Sequence, residues 1–160
     1  MPRPRDMLPV SQGFPQYQQK RAAPVELTTY TLEATIIALK LELDGDYHMV
    51  IQGVSSRTMV AEVPTPTVEF IGDSPWRKQI ALVRDAVDRK IVGSPSAQKV
   101  ARGGAAHSAG DSTFAAPGPP KTSRVRIIGL GFFDVVQGQL GMAPNGIELH
   151  PVIGIQFLDR

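Results

Sequence analysis

Asp44-Gly45-Asp46-Tyr47-His48-Met49-Val50-Ile51, followed by Arg57-Thr58-Met59-Val60-Ala61-Glu62-Val63-Pro64, is the stretch that decides the fold. Asp-Gly is a tight-turn signal, and the apolar runs on either side of Gln52 to Ser56 read as two paired strands. Asp46 and His48 are two residues apart, so on a strand they share a face. Arg57 opens the second strand of the pair and Glu62 closes it. An odd spacing sends Arg57 and Glu62 to opposite faces of a regular strand, so they converge only if Glu62 lies beyond its regular part.

Upstream, Leu27 to Leu43 reads as one long strand. Tyr30, Leu32, Ala34 and Ile36 alternate, and then the apolar phase moves by one residue to Ile37, Leu39, Leu41 and Leu43. A β-bulge produces such a slip and bends the strand. Downstream, Pro64-Thr65-Pro66 ends the sheet segment. Ser74-Pro75 predicts a helix start, with Ser74 as N-cap. Trp76, Ile80, Val83, Val87 and Ile91 form one apolar stripe, and Gly93 is a stop. Two further strands follow, Arg124 to Asp134 and Gly146 to Phe157, joined by a turn region. Gly129 and Gly131 mark a place where another backbone approaches closely, and Pro151 marks an edge or a bulge. Ile147, Leu149, Ile153, Ile155 and Phe157 occupy one face of the last strand, and Glu148, His150, Gly154 and Gln156 the other.

Composition sets the bounds. The chain has 160 residues, 42% hydrophobic and only 6% aromatic, so its core must be mostly aliphatic. A net charge of +2 is too mild to declare a polyanionic partner. With no cysteine, disulfides and thiolate metal sites are excluded, and any metal needs Asp, Glu or His. No apolar run is long enough to span a bilayer, and the N-terminus lacks a signal-peptide pattern, which leaves the compartment open. Residues 1–25 read as a disordered, basic, Pro-rich arm. Residues 26–160 read as one domain carrying a low-complexity insertion at 94–123.

Strand, strand, strand, helix, strand, strand predicts a mainly β fold: a five-stranded OB-like barrel with one α-helix between strands 3 and 4. The chain resembles the staphylococcal-nuclease-like OB folds. The resemblance rests on the Asp44-Gly45-Asp46 turn, on Arg57 five residues before Glu62, on Val63-Pro64 after it, and on the element order from Leu27 to Phe157. It implies a nuclease-like or phosphodiesterase-like domain with a divalent cation, Ca²⁺ or Mg²⁺, on Asp46 and Glu62, and with Arg57 clamping phosphate. The chain departs from that family at three places. Glu62 stands for its aspartate, Thr65 falls near its general base, and Asn145 falls where it has a second arginine. The segment Asn145 to Val152 also looks like the ends of uncharacterised bacterial proteins.

His48, Glu148 and His150 form a second constellation. If the strand faces meet, they suit Zn²⁺ or Mn²⁺, or supply the missing base. On this reading Arg57, His150 and Glu148 are the catalytic candidates, and Asp46, Glu62 and His48 the metal ligands. The alternative readings are turn aspartates, a polar strand face, or an imidazole–carboxylate pair that holds the sheet. The rival functions are a non-catalytic OB module for nucleic acid, and a protein-interaction or assembly domain that uses the arm and residues 94–123.

Overall fold

The computed structural model describes residues 21–42, 44–67, 71–93, 122–136 and 138–159. Most of the predicted arm and insertion lie outside these residues. The elements are β1 (Thr29–Leu41), β2 (Tyr47–Gln52), β3 (Thr58–Val63), helix α1 (Arg77–Val87), β4 (Ser123–Phe133) and β5 (Ile147–Phe157). A 3₁₀ turn, Val25–Leu27, precedes β1, and a π-helical turn, Asp88–Val92, extends α1. The strands close in the order β1-β2-β3-β5-β4, with β3 and β5 parallel and every other pair antiparallel. The fold is a mainly β, five-stranded OB-like barrel with its helix between strands 3 and 4. Among the described residues, no helix is long and apolar enough to cross a membrane.

β1 serves both sides of the barrel because it bends. Its ladder to β2 passes from Ile36 to Ala38 and skips Ile37, where the apolar phase slips in the sequence. β5 contains a second irregularity. Gly129 pairs with Val152 and Gly131 with Leu149, so His150 and Pro151 fall in a bulge opposite Leu130. The strand therefore does not keep one face inward: Leu149 and Val152 both belong to the core. The interior is aliphatic, built on Ile36, Met49, Ile51, Ala61, Val63, Val125, Ile127, Leu149 and Val152.

Ile80, Val83 and Val87 of α1 are buried against that core, with Trp76 and Ile91 packed at its edge. The helix begins at Arg77, three residues after the expected cap. Ser74 is spent on a preceding turn: its Oγ accepts from Trp76 N–H at 3.3 Å and its carbonyl from Arg77 N–H at 3.2 Å. Tyr47 joins the helix to the barrel. Its hydroxyl donates to Asp88, the Arg84 guanidinium lies 3.9 Å from its ring centroid, and Arg84 donates to the Val63 carbonyl at 3.1 Å.

Residues 21–25, which the sequence reading places in the arm, pack on the barrel. Glu26 is buried and accepts from Phe133 N–H at 2.7 Å and from Ala22 N–H. A Cβ at Gly131 would stand 2.6 Å from the Val25 carbonyl oxygen, so this glycine is what lets the N-terminal segment lie against β4.

Candidate functional site

Residues that point away from the core converge on the outer face of β2, β3 and β5. Met49 and Ala61 face inward, so their neighbours His48 and Glu62 face outward. The register pairs His48 directly with Glu62, and Val60 with Glu148 across the parallel seam. The bulge in β5 then brings His150 to the same place. Glu62 sits between the two imidazoles: His48 Nδ1 is 3.1 Å from its Oε1, and His150 Nδ1 is 2.8 Å from its Oε2. His150 Nδ1 is also 3.3 Å from Glu148 Oε1.

The turn between β1 and β2 supplies the rest. Asp46 Oδ1 accepts from Thr65 N–H at 2.7 Å, which ties the turn to the end of β3. Glu42 Oε1 is 3.8 Å from His48 Nδ1. Ligand atoms from Asp46, Glu62 and His150 lie within 4.8 Å of one another, as do those from Glu42, His48 and Glu62. The structure thus brings five predicted residues together: Asp46, His48, Glu62, Glu148 and His150. It places Arg57 elsewhere. Arg57 is exposed at the opposite end of the hairpin, in the turn that closes Gln52 against Thr58. Five residues of strand separate it from Glu62, roughly 16 Å at 3.3 Å per residue.

Burial and mutual contact set the charges. Glu148 is almost fully buried and His48 nearly so, whereas the His150 side chain is 29% exposed and opens the cluster to solvent. Burial opposes the ionisation of Glu62, but hydrogen bonds from His150 and His48 outweigh it and hold its pKa at about 2. Burial also opposes charging of His150, and its bonds to Glu148 and Glu62 override this, raising its pKa to about 10. His48 is raised by its bond to Glu62. Glu42, Asp46 and Glu148 are raised, in each case mainly by burial. Without a metal, the His150 imidazolium faces the ionised Glu62 carboxylate at neutral pH.

Glu42, Arg21 and Phe132 are not among the site residues expected from the sequence. Glu42 was legible: a turn on Asp44-Gly45 sets it across from Asp46, with Glu42 N–H donating to the Asp46 carbonyl at 2.9 Å. Arg21 donates to the carbonyls of Gly131 at 3.2 Å and His150 at 3.1 Å, and its guanidinium lies 5.3 Å from the Phe132 ring centroid. Phe132 in turn packs against the His150 ring at 5.3 Å. Nothing in the local sequence announces contacts across such separations.

Comparison with family models, curated proteins and solved structures gives no match, so the functional reading rests on this geometry.

Proposed function

We propose that the outer-face cluster is a divalent-cation site in a nuclease-like or phosphodiesterase-like barrel, held by Asp46, Glu62 and His150. The observation that carries this reading is the convergence of those three ligand atoms within 4.8 Å, from three separate segments of chain. The donor set refines the expected cation. An imidazole beside two carboxylates suits Mn²⁺ or Zn²⁺ better than the all-oxygen preference of Ca²⁺. A bound cation would polarise a phosphoryl oxygen and lower the pKa of a water. Glu148 Oε1 lies 3.3 Å from the same His150 Nδ1 that faces Glu62, so it is a further carboxylate within reach of that cation. Arg21 and Phe132 fix the backbone and ring of His150 from the other side.

A second reading, a cation-binding OB module without catalysis, is favoured by the position of Arg57. No phosphate clamp at the cluster comes from that residue. Thr65, near the family's base position, has no group that takes up a proton at neutral pH.

Thermal unfolding with Mn²⁺, Zn²⁺, Mg²⁺ and Ca²⁺ tests the site, since a ligand of the folded state alone raises the melting temperature. Mn²⁺ and Zn²⁺ are expected to raise it, and Asp46→Asn and Glu62→Gln to abolish the rise. No shift with any of the four cations would refute the site. Cleavage of DNA or an activated phosphodiester that depends on Asp46 separates the catalytic reading from the second one. Arg57→Lys is expected to leave both metal stabilisation and cleavage unchanged.

A further inference from the structure

Glu62 belongs to both ligand groups, Asp46–Glu62–His150 and Glu42–His48–Glu62. Its two oxygens are divided between them. Oε1 faces His48 and Oε2 faces His150. We propose that the cluster binds two divalent cations side by side, with the Glu62 carboxylate bridging them, one oxygen to each. This rests on the single-cation reading above and extends it.

The spacings allow two coordination shells, since ligand atoms about 2.1 Å from one metal lie at most about 4.2 Å apart. Metal–ligand bonds of about 2.1 Å put neighbouring ligand atoms roughly 3.0 Å apart in an octahedron and roughly 3.4 Å apart in a tetrahedron. Around one position, His150 Nδ1 stands 2.8 Å from Glu62 Oε2 and 3.3 Å from Glu148 Oε1. Around the other, His48 Nδ1 stands 3.1 Å from Glu62 Oε1 and 3.8 Å from Glu42 Oε1. Each Nδ1 now directs a proton at a carboxylate, and a cation takes the place of that proton. Charge points the same way. Two dications with neutral imidazoles balance the four carboxylates Glu42, Asp46, Glu62 and Glu148, whereas a single dication leaves the cluster anionic. Both ligand groups sit on the same outer face, Glu42 and Asp46 across from each other at the mouth of the β1–β2 turn. A carboxylate bridge holds two metals at the short separation, about 3.5–4 Å, used by paired-metal sites that act on phosphate esters.

The test counts ions on the full chain after chelator treatment, with Mn²⁺ as the probe. Equilibrium dialysis at pH 8 is expected to give two Mn²⁺ per chain, and electron paramagnetic resonance an exchange-coupled spectrum. Glu42→Gln is expected to leave one ion and an uncoupled six-line spectrum, and Glu62→Gln to lose both ions. The Glu42 side chain is 29% exposed, so this variant should fold; an unfolding midpoint checks it, and His48→Gln serves as a second route to the same position. One ion in the unaltered protein, unaffected by Glu42→Gln, overturns the pair but leaves the single site standing. Two ions without coupling overturn the bridge. No bound ion at all overturns both readings.

Discussion

Glu62 decides how the isolated protein responds to pH. Its bond to His150 is one interaction seen from two partners, and it fails at both ends of the scale. From the Glu62 side, the stabilisation is present above about pH 4.5, the unfolded value, and is lost as pH falls toward the folded value of about 2. From the His150 side, it is present below about pH 6.5 and is lost as pH rises toward about 10. Glu42, Asp46 and Glu148 have raised pKa values, so their protonated forms favour the fold and their contribution is lost as pH climbs through the folded values. They pull the optimum toward the acid side of the window. Urea unfolding in a chelator should therefore show stability falling between pH 7 and 9.5, and Glu62→Gln should flatten both limbs. Stability that rises over that interval would contradict the assignment.

At the scale of elements, the hairpin, the bent first strand and the amphipathic helix were legible because each is a periodic pattern. Ile36-Ile37 shows its bulge as a phase slip, and Trp76 to Ile91 shows its buried stripe. The spacing of Arg57 and Glu62 misleads for a physical reason: five residues of extended chain carry them to opposite ends of β3, whatever motif they resemble. Pro151 flags the β5 bulge, but the alternation of Leu149, Pro151 and Ile153 runs straight through it and conceals that Val152 turns inward. Two substitutions test how the elements are joined. Tyr47→Phe removes the hydroxyl that donates to Asp88 and should cost about 1–3 kcal/mol, given an acceptor left without its donor. The same tyrosine, raised mainly by burial to a pKa of about 12, should be absent from a phenolate titration between pH 9 and 11. Gly131→Ala forces a methyl group against the Val25 carbonyl and should cost about 1–3 kcal/mol, with release of residues 21–27 seen as faster amide exchange. A neutral outcome at Gly131 would mean that the N-terminal segment moves aside without loss.

For the whole molecule, closure of the barrel depends on its least extensive ladder. β3 and β5 run parallel and pair only through Val60 with Glu148 and Ala61 with Leu149, while the other seams run the length of their strands. Such a seam is where sub-global opening is expected to begin, because few backbone bonds must break there. The titratable cluster sits astride it. His48 and Glu62 come from one lip, and Glu148 and His150 from the other. Whatever occupies the cluster therefore acts as a clasp on the breathing of the barrel. Amide exchange measured with and without a bound cation should slow around Val60–Ala61 and Glu148–Leu149, while the β1–β4 ladder keeps its rate. Equal slowing everywhere would mean that the barrel opens only by unfolding completely, and the same ion would then report on global stability and not on the gape of a single seam.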